Sequence, residues 1–120
     1  MSVQHRIATY VTAPLMLLCL IATQTAAQPR SVDLAISNGE LPQDQRLVAV
    51  SQGDELTLRV SSDKPVEVHL HGYDIEEKLS PGVTAVLHFT ARATGRFPIE
   101  LHGDRRGDGK VIGYLEVRPR

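Results

Sequence analysis

Beyond residue 30 the chain reads as short stretches in which apolar and polar residues alternate. In SVDLAI (31–36), Val32, Leu34 and Ile36 share one face; in ELTLRV (55–60), Leu56, Leu58 and Val60 do. VEVHLH (66–71) turns Val66, Val68 and Leu70 to one side and Glu67, His69 and His71 to the other. VTAVLHF (83–89) groups Val83, Ala85, Leu87 and Phe89, and RFPIELH (96–102) groups Phe97, Ile99 and Leu101. RLVAV (46–50) and VIGYLEV (111–117) complete the series. Successive strand side chains point to opposite faces, so a period of two predicts half-buried β-strands. SNGELPQDQ, SQGD, SSDKP, LSPG and TARATG separate them with turn-forming residues. No amphipathic helix is predicted, and one helical turn near Ile75–Leu79 is the sole helical expectation. Seven or eight strands in about 90 residues predict an all-β, Greek-key β-sandwich of two packed antiparallel sheets. Its expected core is Leu34, Leu56, Leu58, Val60, Val66, Val68, Leu70, Leu87, Phe89, Phe97, Ile99, Leu101, Leu115 and Val117, an aliphatic set with few aromatics.

The first residues follow a different rule. MSVQHRIATYVTAPLMLLCLIATQTAAQ carries His5 and Arg6 as its basic side chains, then an apolar run from about Ile7 to Ala22. Thr25-Ala26-Ala27 then offers small residues for a cut before Gln28. This three-part order predicts a secretory signal peptide over residues 1–27. The alternative, a retained anchor, is weakened by Thr9, Tyr10, Thr12 and Pro14 and by a run short of the roughly 20 apolar residues a span needs. A lipidated Cys19 would want a small residue before it, and Leu18 stands there.

Residues 28–120 then form one small domain, and export places it in the periplasm or outside the cell. It holds 12 basic and 14 acidic side chains, interspersed, for a net charge of −2. That balance gives no basic face for nucleic acid or for an anionic membrane surface. Cys19, the single cysteine, leaves with the leader, so the domain has no disulfide framework and no thiolate. A monomer is expected.

The segments GDELTLRVSSDKPVEVHLHGYD, SPGVTAVLHFTARATGRFPIELHG and IGYLEVRP resemble the cupredoxin-like domains of exported bacterial proteins. The resemblance runs from about Arg46 to Pro119. It follows the order Gly-Asp turn, His-bearing strand, Pro-Gly turn before an FTA strand, Thr-Gly-aromatic strand, loop and last strand. It implies a first metal-ligating histidine at His69 or His71 and a second at His102, where the last loop begins. It also implies a thiolate near Ile99 or Leu101, but no Cys is there, and GDRRGDGK (103–110) holds no Met, His or Cys. The thiolate–copper bond defines a blue-copper site, so electron transfer of that type is disfavoured.

Residues i and i+2 of a strand share a face, about 6.6–7 Å apart, so His69 and His71 can converge on one ion. Glu100 and His102 repeat the spacing. In a cupredoxin-like fold the ends of these two strands are expected to meet at one pole. That would assemble His69, His71 and His102, with Glu100 as an oxygen donor, into a site for Cu(II), or alternatively Zn(II). The competing reading makes His69 and His71 the solvated face of a strand, with His71-Gly72-Tyr73-Asp74 a turn in which Gly72 takes positive φ. On that reading the domain is a metal-free module that contacts another envelope protein. His88 is expected to be solvated, and Tyr73 to be a partly buried strand-end residue. Arg106-Gly107-Asp108 reads as a tight connection, and the Asp residues of that loop lack a calcium-loop register. No serine stands in a nucleophile motif, and Glu76 and Glu77 point to opposite faces of an extended chain, so no enzyme is expected.

Overall fold

The computed structural model describes residues 26–103 and 109–120. The expected leader, apart from Ala26 and Ala27, and the Arg-Gly-Asp segment lie outside the described residues. Eight strands are present among them: β1 (Pro29–Ile36), β2 (Leu47–Ser51), β3 (Glu55–Ser62), β4 (Val66–Leu70), β5 (Ile75–Leu79), β6 (Ala85–Thr90), β7 (Gly95–His102) and β8 (Lys110–Arg118). A short 3-10 turn, Gln43–Gln45, precedes β2. One sheet has the order β1-β3-β6 and the other β2-β8-β7-β4-β5. The all-β sandwich is therefore the fold.

Two pairings differ from expectation. β1 lies parallel to β3, and β2 parallel to β8, so both sheets are mixed rather than antiparallel. β1 and β2, neighbours in sequence, belong to opposite sheets. The chain crosses through β2 before β3 returns beside β1, and such a crossover lets two strands run the same way. Pro29 opens β1 at an edge of its sheet, where a missing N–H interrupts no inner ladder.

The expected helical turn at 75–79 is a strand. Ile75 and Leu79, four apart, fit one helical face, but pairing with β4 sets Ile75 opposite Leu70 and Leu79 opposite Val66. Glu77, between them, stays exposed on this edge strand. Charge on an edge resists pairing with a foreign strand.

The inward alternation packs Leu34, Leu56, Leu58, Val60, Val68, Leu70, Ile99, Leu101, Leu115 and Val117 into one core. Val66, Phe89 and Phe97 pack against it while only partly buried, and Val83 is exposed in the turn before β6. Leu41, Val48, Val50, Tyr73, Leu79, Ala91 and Ile112 join the core beyond the expected set. Tyr73 is buried more fully than a strand-end residue would be. Its ring meets Phe89 and Phe97 at centroid distances of 5.0 and 5.1 Å, and its hydroxyl donates to Ala93 O at 3.0 Å. Ile112 is the extra residue of a β-bulge, since the β7–β8 register shifts between Ile99, paired with Gly113, and Glu100, paired with Val111.

Two local devices fix the frame. Asp54 is 2 % exposed and accepts hydrogen bonds from Ser51 N (3.0 Å) and Gln28 N (3.2 Å) and from the Arg120 guanidinium. It ties both ends of the domain to the β2–β3 turn. The Ser51 N–H, reinforced by Gln28 and Arg120 against the opposing effect of burial, holds the Asp54 carboxyl below its usual range. Gly72 follows β4 at φ +79°, and a Cβ there would lie 2.3 Å from Phe97 Cδ1. Only glycine fits both the backbone and the ring.

Gly72→Ala should therefore destabilise the domain by about 2–4 kcal/mol, adding left-handed backbone strain to overpacking against Phe97; urea unfolding measures it. Because the Asp54 pKa is lowered on folding, its contribution is present above the unfolded value of about 4 and is lost as pH falls through the folded value. Asp54→Asn should lower stability at neutral pH and flatten the acid limb of the stability–pH curve, as thermal melts across that range will show.

Candidate metal centre

The site begins with the register of β4 between its neighbours. His69 faces Glu76 on β5 and Glu100 on β7; Glu67 faces Lys78 and His102. These residues alternate with the core set, so they form two rows on the outer face of the five-stranded sheet: Glu76–His69–Glu100 and Lys78–Glu67–His102. His71 lies one step past the end of β4. Its N–H donates to Pro98 O at 3.1 Å. Pro98 has no N–H to return, so the ladder stops there and the chain bends at Gly72.

The imidazoles of His69 and His71 lie 4.0 Å apart between ring centroids, and those of His69 and His102 5.8 Å apart. One donor nitrogen from each of the three falls within 4.8 Å of the others. Three nitrogens bound at about 2.0–2.1 Å to one ion sit about 3.4 Å apart in a tetrahedron, so modest side-chain rotation would close the set. Glu100 Oε2 reaches into it, 2.8 Å from His71 Nε2 and 3.8 Å from His102 Nε2. Even so, His71 Nε2 is buried and makes no hydrogen bond of acceptable geometry, although the Glu100 carboxylate is this near. A buried nitrogen left in this way is a donor without an acceptor or an electron pair without a partner, and a metal ion would satisfy it. Glu76 Oε1 stands 3.7 Å from His69 Nε2 at the rim.

On the β8 side the backbone closes in. A Cβ at Gly109 would lie 2.9 Å from Glu100 Oε2 and 3.1 Å from His102 Cε1. Gly109 thus lets main chain lie against the two β7 side chains.

The structure brings His69, His71, His102 and Glu100 together, though not where the strand ends were expected to meet. Antiparallel pairing sets the start of β4 beside the end of β7, so His69 and His102 approach across the flank of the sheet instead of at a pole. His88 is far from the cluster by topology: it sits on β6 in the other sheet, exposed, with its Nδ1 3.0 Å from Thr57 Oγ1. Glu76 stood out in the sequence as one of two adjacent carboxylates and not as a neighbour of His69, and Gly109 did not stand out at all. Glu76 would have emerged as that neighbour only by reading IEEKL as a strand paired with VEVHL.

No family profile matches the chain, and no curated protein sequence matches it. Solved structures do. A copper binding protein in its apo form superposes with a TM-score of 0.61 at 12 % identity, over 79 % of this chain and 93 % of that one. The fold is cupredoxin-like. The periplasmic domain of cytochrome oxidase subunit II of Bradyrhizobium japonicum gives a TM-score of 0.57 at 12 % identity, over 74 % of this chain and 83 % of that domain. A blue copper oxidase from Nitrosomonas europaea gives 0.63 at 20 % identity over 78 % of this chain, which spans only 39 % of the oxidase. At these identities the likeness is one of fold. Among the described residues there is no cysteine and no helix long and apolar enough to cross a membrane.

Gly109→Ala should move Glu100 and the His102 ring with a stability change of less than about 1 kcal/mol, because Gly109 is exposed. In NMR spectra the ring signals of His102 and His71 should shift while those of His88 stay in place.

Proposed function

We propose that the protein is an extracytoplasmic metal-binding domain that holds Cu(II) through His69, His71 and His102, with Glu100 as an oxygen donor. Its role is metal binding or delivery in the bacterial envelope, with another envelope protein as the partner that gives or receives the ion. The observation that carries this reading is the convergence of three imidazole nitrogens within 4.8 Å, one of them buried without a hydrogen bond. Three nitrogens and a carboxylate oxygen suit Cu(II) or Zn(II), and copper binds such donors more tightly than zinc. Sulfur is absent from the set, so the domain carries no blue-copper electron-transfer site. Several structural neighbours are copper proteins, and one is a periplasmic domain, which agrees with the leader expected over residues 1–27.

Each ligand histidine must be neutral to bind, so acidification weakens the complex. Calorimetric titration with Cu(II), then Zn(II), should show one-to-one binding, tighter for copper. His102→Ala should weaken it by roughly 100-fold, and His88→Ala should leave it unchanged. The copper form should lack the intense thiolate-to-copper absorption of a blue site. Binding indifferent to His102 would make His69-Leu70-His71 a solvated strand face and return the domain to a metal-free interaction role.

A further inference from the structure

A cleft of about 420 Å³ opens beside His102, between the start of β4, the end of β5 and the end of β7. Its size falls within the usual range for small-molecule sites. Pro65 and the partly buried Val66 supply apolar wall, while Glu67, Lys78 and His102 are the polar row already described. Glu67 and Lys78 are register partners, with Cβ atoms about 5 Å apart. Among the described residues, though, their side chains form no ion pair or hydrogen bond with each other or with any neighbour, unlike Glu40–Lys110, Arg59–Asp33 and Arg118–Glu116 elsewhere on the surface. Two opposite charges thus stand side by side, unpaired, on the wall of a cleft whose next wall is a candidate metal ligand.

Resting on the metal-binding reading above, we propose that this cleft admits an α-amino acid that chelates the bound Cu(II) and completes its coordination. Three histidines and Glu100 supply four donors, fewer than the roughly six a tetragonal Cu(II) ion takes, and the cleft borders the triad at His102. An α-amino acid offers an amine nitrogen and a carboxylate oxygen on adjacent carbons, a five-membered chelate for Cu(II). On binding, the ammonium group gives its proton to water and its nitrogen lone pair to the metal. The remaining N–H groups donate to the Glu67 carboxylate, and the second carboxylate oxygen accepts from the Lys78 ammonium. A simple anion would use Lys78 and be repelled by Glu67. A ligand with a donor and an anionic group a few ångströms apart satisfies both, and the apolar wall accommodates a short side chain. The domain would then exchange copper as an amino-acid complex rather than as the aqueous ion.

Copper is first titrated into the protein without amino acid. If His69, His71 and His102 do not hold it, the metal reading fails and this inference falls with it. If they do, glycine is added to the one-to-one copper form. The electron paramagnetic resonance spectrum and the visible ligand-field band are followed, and copper retained by the protein is checked after desalting. The expected result is a saturable spectral change with copper retained, and a glycine response weakened about tenfold or more in Lys78→Met and in Glu67→Gln. Copper affinity without glycine should stay within about twofold of the parent in both variants, and acetate should produce a weaker response than glycine. A glycine response absent from the copper form, undiminished from the parent's in both variants, or due only to copper stripping overturns the chelate while leaving the histidine site standing.

Discussion

The pairing of β4 with β7 in a single register is the constraint on which the rest depends. It sets Val68 against Leu101 and Leu70 against Ile99 toward the core, and in the same stroke His69 against Glu100 and Glu67 against His102 toward solvent. Because the side-chain period is two, a slip of one residue would drive the histidines into the aliphatic core and expose Val68 and Leu70. Burial of the apolar face thus locks the polar face. The sheet would hold this register for the core alone.

Breaks in regularity refine that register. Pro98 ends the β4 ladder at His71, and Gly72 then turns the chain over the Phe97 ring, so the second histidine is freed from the strand yet held beside it. The bulge at Ile112 re-aims β8 where it passes Glu100, and Gly109 lets the backbone come close to Glu100 and His102. At the far end, Asp54 gathers the N–H groups of Gln28 and Ser51 with the Arg120 guanidinium, closing the domain where its ends meet. A buried carboxylate is tolerable there because backbone donors and a cation surround it.

The chemistry departs from what the cupredoxin resemblance implies. A blue site needs a thiolate, and the matching positions on β7 are Ile99 and Leu101, both buried in the core. The candidate centre instead uses the opposite face of the same strands. Three imidazoles and one carboxylate, partly shielded by Gly109 and by their own crowding, form a nitrogen–oxygen set on the flank of a cupredoxin-like sandwich.

Much of this was legible in the residues. Alternation in VEVHLH and RFPIELH separated the core from the outward His69, His71, Glu100 and His102, because a strand side chain's face follows from its parity alone. Gly72 announced its turn. Parity, however, does not say which strands are neighbours. The parallel pairings, the strand at 75–79, the burial of Tyr73 and the place of Gly109 all depend on contacts between residues far apart in the chain. The sequence by itself determined an all-β chain with an aliphatic inner face and a histidine-bearing outer face. The tertiary structure decided that β4 and β7 lie side by side and antiparallel, and so that the histidines meet on the flank of the sheet. Faces follow from local backbone geometry, whereas neighbours follow from how the whole chain buries its apolar surface.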